Sequence, residues 1–117
     1  MQWEHSKQIV VVGTLEQVFE AARIFLPYIG FRPVESKEQN LVLAERGSKT
    51  GFYLSSNVKD LPTKLYITLS PRGSEVEVSY RYEITLVGIM LGGDRKSLDA
   101  EVEQLGKCMV MRITGNQ

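Results

Sequence analysis

The sequence has little of the residue types that most often build metal centres and nucleophilic sites. It contains one cysteine, one histidine and one tryptophan in 117 residues. The single Cys108 cannot close a disulfide within the chain, and one cysteine with one histidine cannot form a Cys/His metal cluster. We therefore expect no cofactor and no metal, and the lone thiol favours a reducing compartment such as the cytoplasm.

The chain also lacks an excess of charge of either sign. Lysine and arginine together number 14, aspartate and glutamate also number 14, and the formal net charge is zero. A neutral protein has no long-range field to steer a polyanion to its surface, which argues against nucleic acid as a partner. One basic segment with two aromatic residues, from Arg46 to Lys64, leaves single-stranded nucleic acid as a minor alternative.

Long apolar runs are missing as well. The longest near-apolar run, 86–93, is far shorter than the roughly 20 residues of a membrane-spanning helix. The first residues, MQWEHSK, lack the basic and apolar regions of a signal peptide. With 43% hydrophobic and 24% charged residues, the composition is that of a globular protein. We expect one domain over residues 1–117, in the cytoplasm and without a membrane span.

The first part of the chain predicts a strand followed by a helix. The Val-rich stretch KQIVVVG (7–13) indicates a strand with much of both faces covered. Thr14-Leu-Glu-Gln17 matches a capping box, in which the threonine hydroxyl accepts from the backbone of Gln17 and the glutamine side chain reaches back. Apolar residues then recur every three or four positions, and Pro27 and Gly30 mark the end of that helix.

Extended segments fill the middle of the chain. FRPVESKE and NLVLAER are predicted strands joined at Gln39-Asn40, and FYLSS (52–56) is a further short extended run. The clearest signal is a hairpin from Lys64 to Leu86, turned at SPRGSE, in which apolar and polar residues alternate strictly. Such alternation is typical of an antiparallel sheet with one face on the core and the other in water.

A second amphipathic helix is predicted after Gly92-Gly93, with Asp94 as its N-cap. Gly106 costs roughly 1 kcal/mol within a helix, so an alternative ends the helix there and makes CMVMRI a strand. The apolar stripe keeps its phase past Gly106, which favours a continuous helix. The stripe consists of Leu98, Val102, Leu105 and Met109.

The expected architecture is α+β, in the order β-α-β-β-β-β-α, with a curved antiparallel sheet of about five strands and both helices on one face. This order resembles that of TATA-binding-protein-like and helix-grip (START-like) domains. The resemblance is carried by KQIVVVG, TLEQVFEAARIFLPYIGF and the run from Lys64 to Arg112, and it rests on element order rather than on a motif. Members of that class bind DNA, lipids or hydrophobic metabolites, or partner proteins, so the resemblance implies a binding function without choosing the ligand.

One stretch, GIMLGGDRKS (88–97), has the glycine spacing of a phosphate-binding loop. Such a loop needs lysine and then serine or threonine directly after its second glycine, and Asp94 stands in the lysine position. A carboxylate there would repel phosphate, and the preceding strand is covered on one face only. The stretch is therefore predicted to be a turn that starts a helix.

The same region suggests a contact surface. Val87 falls on the solvent side of the alternation, and the residues after it carry no charge, so they would form an exposed apolar patch suited to self-association or to another protein. The alternative is that they fold under the second helix and close the core. The predicted patch consists of Val87, Ile89, Met90 and Leu91.

A second candidate is a pocket between the sheet and the helices. Tyr80 and Tyr82 fall on the inward side of the last strand, where each hydroxyl needs a partner that a ligand can supply. The alternative is that both are ordinary core residues whose hydroxyls reach the rim. The predicted lining also includes Leu65, Ile67 and Leu69.

The sequence offers few ways to build a catalytic site. His5 and Cys108 could meet only as a pair of a base and a nucleophile, but His5 lies near the terminus and Cys108 on an apolar helix face. The carboxylates of Glu75/Glu77 and Glu101/Glu103 are read as solvent-facing. We expect a non-catalytic binding or interaction module able to form a homodimer. The alternative is a carrier of a small hydrophobic ligand, and an enzyme ranks third.

Overall fold

The structure, a computed structural model, describes residues 2–34, 40–47, 61–85 and 93–115. Five strands form one open antiparallel sheet in the order β1-β5-β4-β3-β2. Two α-helices and one short 3-10 helix complete the described part of the chain. The strands are β1 (Gln2–Val12), β2 (Arg32–Val34), β3 (Leu41–Arg46), β4 (Thr63–Arg72) and β5 (Glu75–Thr85); the helices are α1 (Leu15–Phe25) and α2 (Gly93–Gly115), with the 3-10 helix at Leu26–Ile29. The predicted α+β class and element order are confirmed.

The predicted capping box starts α1. The Thr14 hydroxyl accepts a hydrogen bond from the backbone of Gln17 at 3.2 Å, and the Thr14 backbone donates to the Gln17 side chain at 3.0 Å. The α-helix ends at Phe25, because Pro27 has no N–H for a further α-helical bond. Pro27 sits instead in the 3-10 helix, which Gly30 ends with a left-handed φ of 87°.

Replacing Thr14 with alanine is expected to lower the free energy of unfolding by about 1 kcal/mol, because the Gln17 N–H loses its acceptor. Urea denaturation measures the change. Thr114→Ala is the matched control, since that threonine is also exposed and its hydroxyl only donates to a carbonyl of its own helix. Equal effects of the two substitutions would show that the capping box does not stabilise the fold.

The hairpin of β4 and β5 forms the centre of the sheet. Leu65 pairs with Tyr82 and Ile67 with Tyr80, so the alternating apolar residues of both strands share one face. That face is covered by α1 and α2 and is buried, as the alternation predicted. The other face carries exposed or half-buried side chains such as Lys64.

The first strand differs from its prediction in length and in coverage. It begins at Gln2 rather than at Lys7, because its polar first half also pairs with β5. It lies at an edge of the sheet, and helices cover only its inner face. Val10 and Val12 point to the uncovered face and are 57% and 58% exposed, whereas their neighbour Val11 is buried.

The second helix is continuous through Gly106, so the alternative of a strand at CMVMRI is wrong. A methyl group at Gly106 would lie 2.8 Å from Cδ1 of Ile9, which shows that glycine lets the helix approach β1 closely. The helix already includes Gly93, so Asp94 lies in its first turn rather than at the N-cap. The predicted stripe is buried and extends to Ile113.

Candidate functional site

The five residues predicted to line a pocket lie together on the inner face of β4 and β5. Each is at most 1% exposed, so they form the centre of the hydrophobic core. They are Leu65, Ile67, Leu69, Tyr80 and Tyr82. The predicted contact patch of Val87, Ile89, Met90 and Leu91, the extended run at 52–56 and the turn residue Gln39 lie outside the described residues.

A buried ion pair lies beside Tyr82. Nη1 of Arg46, at the end of β3, donates to both carboxylate oxygens of Glu101 on α2, at 2.9 and 3.0 Å. The Tyr82 hydroxyl donates to the same carboxylate at 3.2 Å. The side chains of Arg46 and Glu101 are only 5% and 2% exposed. The pair therefore links β3, β5 and α2 inside the protein.

Arg46 also holds the connection between α1 and β2. Its Nη1 donates to the carbonyl of Ile29 at 3.1 Å, and its side chain passes beside Gly30, 3.5 Å from where a Cβ would lie. The guanidinium carbon lies 4.1 Å from the centre of the Phe31 ring, within the range of a cation–π interaction. Phe31 in turn packs on Tyr82, with ring centres 6.3 Å apart.

The prediction that Glu101 faces solvent is wrong, and Arg46 is not part of a solvated basic loop. The sequence contained a signal for both. Glu101 follows Leu98 by three positions and precedes Leu105 by four, which places it on the apolar stripe of the helix. Arg46 continues the inward alternation of Val42 and Ala44. In each case the charged residue type predicts exposure to solvent, whereas the periodic position indicates burial.

Several polar groups in this region have no hydrogen-bond partner among the described residues. They are the Tyr80 hydroxyl and the Nε and Nη2 atoms of Arg46. Burial raises the pKa of Tyr80 above its ordinary value. Burial, together with the nearby Glu101 carboxylate, raises the pKa of Tyr82 as well. Both hydroxyls therefore keep their protons at neutral pH and can donate hydrogen bonds.

An open cleft of about 250 Å³ lies at the end of the sheet where Arg46 is located. It is formed where β3 ends, β4 begins and β5 ends. Side chains of both charge signs surround it, and the buried Arg46 contributes to its wall. The other lining residues are Arg32, Glu45, Gly47, Pro62, Thr63, Lys64, Glu83 and Thr85.

The structure does not bring His5 and Cys108 together as a catalytic pair. His5 lies within β1 rather than in a frayed terminus, and its Nε2 is 2.6 Å from Oδ1 of Asp99. Cys108 is half-buried and lies 3.9 Å from the side-chain nitrogen of Gln104. Within the described ranges, no three His, Cys, Asp or Glu residues lie close enough to hold a metal ion. None of the described helices is both long and apolar enough to cross a membrane.

No protein-family model matches the sequence, and the comparison with curated proteins finds no match. Solved structures match the fold. Ara h 8.0201 matches with a TM-score of 0.71 at 6% sequence identity, over 98% of this chain and 99% of that chain. A START superfamily protein from Mycobacterium smegmatis matches with a TM-score of 0.69 at 9% identity, over 97% and 99%.

The Aha1 dimer from Colwellia psychrerythraea is a further structural match, with a TM-score of 0.58 at 8% identity, over 93% of this chain and 97% of that chain. Identities this low show the fold alone. The chain has a START-like helix-grip fold, as its order of elements predicted.

Proposed function

We propose that the protein is a non-catalytic binding domain that carries a small, largely apolar molecule between its sheet and its helices, in the cytoplasm. The START-like fold supports this proposal, because the class that the sequence resembles includes carriers of lipids and hydrophobic metabolites. The apolar side chains of Leu65, Ile67 and Leu69 line the inner face of the sheet and supply the surface that such a molecule would contact.

The observation that carries the proposal is the Tyr80 hydroxyl. It is buried in the layer between the sheet and the helices and has no partner among the described residues. Leaving a buried polar group unpaired costs about 1–3 kcal/mol, so tyrosine would be a poor choice for this position if it served packing alone. A ligand with a polar atom at Tyr80 satisfies the hydroxyl and uses the surrounding apolar surface.

The size of the cleft limits the ligand. At about 250 Å³ it is slightly smaller than the usual range for ligand pockets, which begins near 300 Å³. Its walls contain none of the inner-face residues Leu65, Ile67, Leu69 and Tyr80, so we assign it the role of an entrance to the layer between sheet and helices. An entrance of this size suits a short-chain or single-ring molecule rather than a complete two-chain lipid. It lies at the end of the sheet, where a ligand can enter beside Arg46.

Ligand binding is tested by titrating the purified protein with an uncharged fluorescent fatty-chain probe and measuring saturation and stoichiometry. We expect one saturable site. Tyr80→Phe is expected to weaken binding by about two- to tenfold, the value of one hydrogen bond, and to leave the free energy of unfolding unchanged or raised, because it removes an unpaired hydroxyl.

Tyr66→Phe is the matched control, since Tyr66 lies on the opposite face of the same sheet, beside Arg81. It should change neither binding nor stability. A Tyr80→Phe variant that is destabilised yet binds as the wild type would show that the hydroxyl is structural and would remove the main support for a ligand site.

Self-association is a second proposed function. The likeness in fold to the Aha1 dimer favours it, and the predicted patch of Val87, Ile89, Met90 and Leu91 directly follows β5 in the sequence. Native mass spectrometry of the purified protein reports the subunit count and any retained ligand in one spectrum. A monomer at micromolar concentration would reject the second function, whereas a monomer with a retained ligand would support the first.

A further inference from the structure

We infer that the ligand is anchored at Arg46 through an uncharged hydrogen-bond acceptor, such as the carbonyl oxygen of an amide, ester or ketone, and not through a carboxylate or phosphate. The inference rests on the proposed ligand-binding function and adds to the contact at Tyr80 a second polar contact, at the end of the ligand that lies in the cleft. Three properties suit Arg46 to bind the polar group of a ligand. It is buried, it forms part of the cleft wall, and two of its donor nitrogens have no partner among the described residues.

The first step concerns the hydrogen bonds of Arg46. A guanidinium group has five N–H donors in a fixed planar arrangement. Nη1 donates to Glu101 and to the carbonyl of Ile29. Nε and Nη2 have no partner among the described residues, although both are shielded from solvent. Both nitrogens are bonded to Cζ and their hydrogens point to the same side in one plane, so a single acceptor group can reach both.

The second step concerns the charge of Arg46. Its positive charge is already balanced, because Glu101 is in direct contact and equally buried. A second carboxylate at Nε and Nη2 would place a second negative charge close to that of Glu101, in a region shielded from water, against the single positive charge of Arg46. Burying an unpaired charge is much more costly than burying a neutral, hydrogen-bonded carbonyl. The buried ion pair thus selects against anions, while two donor nitrogens of Arg46 remain without a partner among the described residues.

The third step concerns the rest of the cleft wall. Cations and carboxylates alternate around the opening, with Arg32 and Lys64 beside Glu45 and Glu83. In the sheet, Lys64 lies directly opposite Glu45 on one side and Glu83 on the other. The described part of the cleft therefore has no surplus positive charge that would compensate an anionic ligand, and a neutral polar group is the better match.

The test compares probes of equal chain length that differ only at the polar end. Decanamide and sodium decanoate are titrated against the wild-type protein at neutral pH, each by displacement of a fluorescent fatty-chain probe. We expect decanamide to bind at least tenfold more tightly than decanoate, because only the amide avoids an uncompensated buried charge. This comparison requires no variant.

Arg46→Lys assigns the preference to the residue. Lysine keeps a positive charge near Glu101 but removes the two donors at Nε and Nη2, so the preference for decanamide should fall to about threefold or less. Arg81→Lys is the matched control, since Arg81 is exposed on the outer face over the Tyr66 ring, and it should retain the full preference. Circular dichroism checks that both variants are folded.

The possible outcomes separate the two proposals. If the fluorescent probe does not bind, and neither decanamide nor decanoate binds, the proposed function fails and this inference fails with it. If both probes bind equally, or decanoate binds more tightly, ligand binding stands but the uncharged anchor is overturned. A full preference for decanamide in folded Arg46→Lys would also overturn it, because the discriminating group would then lie elsewhere. The wild-type preference decides the matter if Arg46→Lys does not fold.

Discussion

Replacing Glu101 with alanine is expected to lower the free energy of unfolding by about 3–5 kcal/mol, the cost of removing one partner of a buried ion pair. The loss has two sources. The Arg46 guanidinium would remain buried without its counter-charge, and the Tyr82 hydroxyl would lose its acceptor. Because native domains are stable by only about 5–15 kcal/mol, the effect should be evident in urea denaturation or as a large fall in Tm.

Glu103→Ala is the matched control for this prediction. Glu103 lies two positions further along the same helix, 61% exposed, with its carboxylate 3.5 Å from Lys7. An exposed pair of this kind contributes at most about 1 kcal/mol. If Glu101→Ala destabilises the protein no more than Glu103→Ala, the buried ion pair does not have the energetic role assigned to it.

A double substitution separates the loss of the pair from the exposure of a lone charge. Arg46→Met with Glu101→Met replaces both groups by apolar side chains of similar length, and such replacements are often neutral or stabilising. We expect the double variant to be more stable than Glu101→Ala, and to have lost the preference for an amide over a carboxylate. A double variant that is at least as stable as the wild type, but has lost this preference, would indicate that the pair serves recognition rather than stability.

Replacing Phe31 with alanine is the second large effect, an expected loss of about 3–5 kcal/mol. Phe31 is 1% exposed and fills the space between the Arg46 guanidinium and the Tyr82 ring. Its removal leaves a cavity and also exposes one face of the buried cation, so the loss should lie in the upper part of that range. In urea denaturation, a lower midpoint with an unchanged m-value would show that the variant has lost stability.

Tyr28→Ala is the control, because Tyr28 is an aromatic residue of the same connection but is 81% exposed. It should change stability by less than about 1 kcal/mol. A conservative Phe31→Leu variant should recover much of the packing energy without the cation–π contact. Similar losses for Tyr28→Ala and Phe31→Ala would contradict the position of Phe31 in the core.

The sequence predicted the parts of the fold that depend on local periodicity. The alternation on both sides of SPRGSE predicted the β4–β5 hairpin, and Thr14 with Gln17 predicted the start of α1. The extent of β1 could not be predicted in this way, because its first half is polar. Those residues are held in the sheet by pairing with β5, for instance His5 with Tyr82, and such pairing is a tertiary interaction that local sequence does not encode.

The candidate site was predicted only in part. The inward position of Tyr80 and Tyr82 followed from alternation and is confirmed by their burial. The ion pair could not be predicted from residue type, because arginine and glutamate are rarely buried; only their periodic positions indicated it. A charged residue that lies on the apolar stripe of its own element should be examined for a buried partner.

The pairing of β1 with β5 determines the order in which this fold can be completed. Gln2 lies opposite Thr85, so β1 leaves the ribosome well before β5, the strand with which it pairs. At about 5–20 residues per second, synthesis leaves the segment Ile9–Val12 without its partner for several seconds. An unpaired, β-branched strand of this kind is a target for chaperones and for aggregation. Proteins with such distant pairings also fold slowly, so completion of the sheet is expected to limit the folding rate.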